Sequence, residues 1–209
     1  LLMLRERSQP LPLYATAEVL DDIGSGFPLT RLLGHYCGLQ TRPIALDGQP
    51  LDLPFLEPLQ VHAVPIASQP PPYSPFRGQA RAGDNIALMV HNPLSGRSLF
   101  YAPGLGRIDT ATRALMEQAD VLLVDGTFWT EDEMIRLGLS AKPAAEMGHL
   151  PQSGADGMIT LLDSLPPGKQ KWLIHINNTN PILREDSPER AILAGHGIQV
   201  AHDGLEIEL

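Results

Sequence analysis

The run Val121-Leu122-Leu123-Val124, closed by Asp125, constrains this chain more than any other feature. Four apolar residues without polar alternation describe a strand covered on both faces, and such strands sit in sheets with helices packed over them. Trp172-Leu173-Ile174, closed by His175, repeats the pattern. Helical stretches alternate with these strands. They are expected at 110–118, after a capping box made by Thr130 and Glu133, at 155–165, and after Ser187 as N-cap with Pro188 in the first turn and Gly195 or Gly197 as the stop.

The first half reads differently. A short strand is expected at 12–16 and helices at 17–23 and 27–36, separated by the breaker Gly24-Ser25-Gly26. Strands with proline punctuation follow at 43–46 and within 51–66, then a Pro-rich loop at 68–83 and a hairpin pairing 85–91 with 98–101. A second hairpin, 199–201 with 205–209 around Asp203-Gly204, is expected to close the chain. Strands first and strand–helix alternation afterwards predict an α/β fold, sheet packed on sheet with helices outside, in a single domain covering 1–209. The opening Leu1-Leu2-Met3-Leu4 looks like the apolar face of a helix already under way and ended near Pro10, which predicts an N-terminal truncation.

Charge and cysteine content exclude several functions. The formal net charge is −9, so nucleic acid is not an expected partner, because phosphate binding needs a concentrated cationic face. No apolar run reaches the roughly 18 residues a membrane helix needs. Cys37 is the only cysteine, which rules out an internal disulfide and a multi-cysteine zinc site in these residues. The cytoplasm is the default compartment. A homodimer is compatible with core edges left open by truncation.

Three polar residues stand where a layered α/β fold builds its sites: Asp125 and His175 at strand ends, and His149 in Met147-Gly148-His149-Leu150-Pro151. Imidazole and carboxylate together suit a metal or acid–base work. Singly, each has a simpler explanation. An Asp before Gly126 forms turns, and a His near a strand end is commonly a hydrogen-bonded boundary residue. Asn177, Asn178 and Asn180 follow His175; they either fix the turn up to Pro181 or orient His175 and bind substrate. Tyr73 and Arg77, with Asp84 and Asn85, border the Pro-rich loop. Arg77 is read as a substrate-carboxylate clamp on a lid, or as one half of an Arg–Asp pair pinning a surface loop.

The stretches 73–75, 83–85, 101–104, 124–128, 147–151 and 175–181, with the closing Val200-Ala201-His202-Asp203-Gly204-Leu205-Glu206-Ile207, closely resemble the pyrroloquinoline quinone (PQQ) biosynthesis protein B family of the metallo-β-lactamase superfamily. The resemblance runs along essentially the whole chain. It implies an αββα sandwich, present here in part, with its site along one edge. It also implies that an Asp-His metal motif and a Cys-rich zinc segment lie before Leu1. Relative to the superfamily's tRNA-processing nucleases, Ser68 stands where a metal-binding His is found, and Gly104 where an Asp bridges two metals. The usual pair of ions about 3.5–4 Å apart loses its ligands, which argues against a hydrolase.

What the resemblance implies instead is a mononuclear site. His175 would ligate the metal, and Asp125 with His149 would complete the site or move protons. Fe(II) is the expected ion and Zn the alternative, with weak or no binding by these 209 residues alone. The implied reaction is hydroxylation of the tyrosine ring of a peptide-derived Glu-Tyr precursor of PQQ. The alternative is a soluble carrier of PQQ or its precursor.

Overall fold

A computed structural model describes residues 8–209. The expected helix under Leu1, Leu2 and Leu4 therefore lies outside the described residues. Among those described, no helix is long and apolar enough to cross a membrane.

A six-stranded mixed sheet forms the centre, in the sequential order β3 (Gln60–Pro65), β4 (Ile86–His91), β5 (Ser98–Ala102), β6 (Val121–Asp125), β7 (Gln170–Ile174) and β8 (Ile198–Val200). The first three strands are antiparallel neighbours; β5 to β8 run parallel. The change follows from the connections. β4 and β5 are joined by a tight turn in which the Asn92 side chain accepts the Leu94 amide, whereas each later strand is reached through helices, which returns the chain in the same direction. α3 (Thr110–Gln118) leads into β6, α4 (Glu133–Arg136), α5 (Ala144–Met147) and α6 (Met158–Asp163) lead into β7, and α7 (Pro188–Gly195) leads into β8.

The apolar run behaves as its composition demands: Val121, Leu122 and Val124 are fully buried. Leu122 and Val124 pack in one core with Phe100, Met116, Met158, Leu162, Leu173 and Leu193, so helices and sheet share a single apolar layer. α3 begins on Asp109, whose side chain accepts the Thr112 amide, and α7 begins on Ser187, which accepts from Arg190 with Pro188 behind it.

A second, two-stranded parallel sheet, β1 (Leu11–Ala15) with β2 (Leu39–Pro43), is linked through α1 (Ala17–Ser25) and α2 (Leu29–Leu33). The Pro-rich segment docks onto α1. Arg81 pairs with Asp84 at 2.7 Å and Asp22 at 3.1 Å while lying over the Phe76 ring at 3.8 Å. Both acids are buried, so the guanidinium neutralises two charges that have left water.

Five sequence expectations need correction. The strand expected at 43–46 lies at Leu39–Pro43, where it pairs with β1, and α1 runs through Gly24 and Ser25 of the expected breaker and stops at Gly26. Residues 205–209 form no strand. The final segment instead lies across the β4–β5 turn, where Asn92 donates to the Leu209 carbonyl at 2.6 Å and Arg97 to that of Glu208 at 2.7 Å. β8 finds its partner in β7, since an apolar edge buries more surface against a core strand than against a polar turn. The capping box at Thr130 also fails. α4 starts after Asp132 without a side-chain cap, and Glu133 reaches back past Thr130 to the Trp129 amide at 2.7 Å. Finally, the Arg–Asp pin on the Pro-rich loop is made by Arg81; Arg77 donates to the Pro70 carbonyl within its own turn.

Candidate metal centre

Asp125, His149 and His175 meet. The ligand-type atoms of Asp125, His149 and His175 lie within 4.8 Å of one another. Each arrives by a different route. Asp125 is the last residue of β6 and is fully buried. His175 follows directly on the neighbouring strand β7. It adopts φ 53°, the only positive φ of a non-glycine residue among those described. That conformation is sparsely populated and costs free energy, and such residues gather at functional sites. His149 leaves α5 through Gly148 at φ 95°, a left-handed helix stop. A Cβ at Gly148 would stand 2.7 Å from the Ser68 hydroxyl oxygen, so the turn also needs glycine for space.

Asp125 Oδ2 accepts from His149 Nδ1 at 2.6 Å and from the Leu105 amide at 2.9 Å. Oδ1 accepts the Thr127 amide at 2.9 Å and the Thr127 hydroxyl at 2.5 Å. Oδ1 thus makes the turn expected before Gly126, and Oδ2 faces His149. This buried carboxylate accepts four hydrogen bonds, one of them from the His149 ring, which fixes the orientation of that ring. A carboxylate only accepts, so His149 Nδ1 carries the proton of this bond. The His149 and His175 rings lie face to face, 5.2 Å apart and 23° from parallel.

Thr127 is the residue that sequence reasoning passed over. Its hydroxyl lies 3.0 Å from His149 Nδ1, 2.8 Å from His175 Nδ1 and 2.9 Å from the His175 carbonyl oxygen. The signal was the Asp-Gly-Thr order itself, because a Thr two residues after an Asp can bond the same carboxylate in an Asx turn. Gly126 makes that turn possible. A Cβ there would lie 2.9 Å from both the Ile174 carbonyl oxygen and the Leu173 Cβ.

The residues proposed to bind substrate fall outside this cluster. Tyr73 is exposed and packs against Phe27, and Arg77 is held by Pro70. Asn177 donates to the Thr179 hydroxyl at 2.5 Å, and Thr179 in turn donates to the buried Glu133. Asn178 is exposed. Asn180 is buried and donates to the Gly126 carbonyl at 2.9 Å and to Gln152 Oε1 at 2.7 Å, so the asparagine run does fix the turn up to Pro181.

The two positions that depart from the nuclease pattern also reach the site. A Cβ on Gly104 would stand 4.0 Å from His149 Cε1, and Ser68 donates to the Gly148 carbonyl at 2.8 Å. A cleft of about 520 Å³ opens beside them, with Ser68, Gln69, Arg107 and Gly148 in its wall.

Similarity to known proteins extends over the whole chain. The protein is 60% identical over 209 residues to coenzyme PQQ synthesis protein B of Cupriavidus necator, covering all of this chain and 68% of that one. The chain belongs to the coenzyme PQQ synthesis protein B family. The Methylococcus capsulatus member is 53% identical over the same span. The beta-lactamase superfamily domain matches residues 1–176. The crystal structure of Zn(2+)-bound PqqB from Methylobacterium extorquens superimposes with a TM-score of 0.79 at 32% identity, covering all of this chain and 68% of that one. A PhnP-family diphosphatase (TM-score 0.55, 16% identity) and the short form of human tRNase Z (0.52, 15%) share the fold. The architecture is therefore the metallo-β-lactamase fold, as the sequence implied.

The donor set fits a metal. Two imidazoles and a carboxylate suit Zn or Fe(II), both of which accept nitrogen and oxygen ligands.

Proposed function

We propose that this protein acts in PQQ biosynthesis as an Fe(II)-dependent oxygenase that hydroxylates the tyrosine ring of a peptide-derived Glu-Tyr precursor. The observation that carries the reading is the pairing of His149 and His175 beside a fully buried Asp125, with glycine and serine where a binuclear hydrolase needs ligands. His175 and His149 would hold the ion, together with the Asp-His pair that the family resemblance places before Leu1. The ion would supply dioxygen activation. The net change replaces a ring C–H by C–OH with one oxygen atom, and the other leaves as water with two electrons from an external reductant.

The chain's own residues do the rest. Asp125 keeps His149 in one tautomer and one orientation through the 2.6 Å bond to Nδ1. His149 is thereby held as a ligand with its Nδ1 proton committed to Asp125. The cleft beside Gly148 accommodates a dipeptide-sized side group, and Arg107 in its wall offers a guanidinium to a glutamate carboxylate.

The test is reconstitution of the longer family chain carrying these residues with Fe(II), in air and with a reductant, on a Glu-Tyr peptide. A product heavier by one oxygen atom is expected, and His175→Ala should abolish it. Absence of product from the unaltered, iron-loaded protein, with PQQ bound equally well after metal removal, would replace the oxygenase by a soluble carrier.

A further inference from the structure

We infer that Thr127 is a positioning residue whose hydroxyl fixes the His175 imidazole with its proton on Nδ1, leaving Nε2 as the nitrogen that ring can offer a metal. The argument is proton counting. A threonine hydroxyl has one proton and two lone pairs. Four groups surround the Thr127 Oγ1 within hydrogen-bond distance: Asp125 Oδ1 at 2.5 Å, His175 Nδ1 at 2.8 Å, the His175 carbonyl oxygen at 2.9 Å and His149 Nδ1 at 3.0 Å.

The carboxylate and the carbonyl can only accept. Whichever of them takes the hydroxyl proton, none is left for a nitrogen. His175 Nδ1 must therefore be the donor in its 2.8 Å contact, which places its proton there and leaves Nε2 bare. His149 Nδ1 already donates to Asp125 at 2.6 Å and shares that proton with the second Thr127 lone pair. One hydroxyl thus reads the Asp125 charge out to both rings. His149 has a carboxylate to hold its tautomer without Thr127; His175 has none, and Thr127 Oγ1 is its one side-chain partner among the described residues. The same hydroxyl touches the His175 carbonyl, where the backbone takes φ 53°. Ring tautomer and backbone conformation of His175 accordingly depend on one side chain.

The inference deepens the reading of these histidines as metal ligands, and its test is run without metal so that the two can fail separately. Long-range nitrogen–proton NMR on the ¹⁵N-histidine-labelled, chelator-treated chain reports which ring nitrogen is protonated in the neutral imidazoles. His149 and His175 should both be Nδ1-protonated in the unaltered protein. In Thr127→Val, which keeps the shape and removes the hydroxyl, His175 should shift to the Nε2-protonated form favoured in water, while His149 stays as it was. Thr127→Ser should restore His175. An Nε2-protonated His175 in the unaltered protein, or a His175 unchanged by Thr127→Val, would overturn the inference. The unaltered and Thr127→Ser spectra decide it even where the Val variant does not fold.

Discussion

Asn180 and Gln152 meet in the interior, Nδ2 to Oε1 at 2.7 Å, with both side chains buried. The bond joins the loop that follows His175 to the loop that follows His149. Asn180 extends it by donating to the Gly126 carbonyl and accepting the Ile182 amide at 3.1 Å. Three strand-edge loops that are far apart in sequence thus hang on one amide side chain.

Removing that amide should loosen all three. Asn180→Ala leaves a buried carbonyl, a buried amide N–H and the Gln152 oxygen without partners, and each orphaned group costs about 1–3 kcal/mol. The expected result is a urea midpoint displaced by at least one such increment, together with broadened NMR signals from His149 and His175. An unchanged midpoint would show that water replaces the side chain without loss.

Asp125→Asn preserves shape and alters charge. The carboxylate accepts four hydrogen bonds, and an amide must turn an N–H₂ toward at least one of those donors. Loss of the partner that orients a ligating histidine lowers metal affinity by about 10–100-fold. Competitive zinc titration of the longer family chain would register that drop; equal affinity would remove Asp125 from the site's function.

Gly126→Ala addresses the turn itself. The added methyl meets the Ile174 carbonyl and the Leu173 Cβ, neither of which is the end of a flexible chain. Overpacking of this kind costs about 1–3 kcal/mol. Because β6 and β7 are separated at the point where Asp125 and His175 leave them, the variant should lose metal binding as well as stability, measurable by thermal unfolding with and without zinc.

The N-cap of α3 carries a pH signature. The Thr112 backbone amide, then its side chain, hold the Asp109 carboxyl below its ordinary value. A lowered folded-state pKa stabilises the fold above the ordinary carboxylate value, and the contribution is lost as pH falls through the lowered one. Asp109→Ala should therefore cost about 1 kcal/mol near neutral pH, and the gap between variant and parent in chemical denaturation should close in acid. A gap independent of pH would mean that the cap acts through something other than its charge.

Much of the fold was readable along the chain. The four apolar residues before Asp125, the Ser187 cap and the hairpin turn between 91 and 98 each carry their cause locally, in side-chain chemistry within a few residues. Where the cause was distant, local pattern misled. Thr130 and Glu133 have capping-box spacing, yet Glu133 is drawn to Trp129 and Thr179 by burial. Asp203-Gly204 has the form of a hairpin turn, yet the residues beyond it are held by Asn92 and Arg97. The α5 turn at Ala144–Met147, too short for a periodic signal, was invisible, although it delivers His149.

The sequence by itself determined the layered α/β class, the strand ends at Asp125 and His175, and the set of side chains with metal chemistry. Spacings of 24 and 26 residues between the three carried no geometric information, because loops and helices of any length can intervene between parallel strands. Only the tertiary structure decided that these residues converge, that the Asp125 oxygens accept four hydrogen bonds, and that Thr127 stands among all three. Convergence is set by strand order and by the buried Asn180–Gln152 contact, and hydrogen-bond partners across a sheet edge are chosen by proximity in space rather than along the chain.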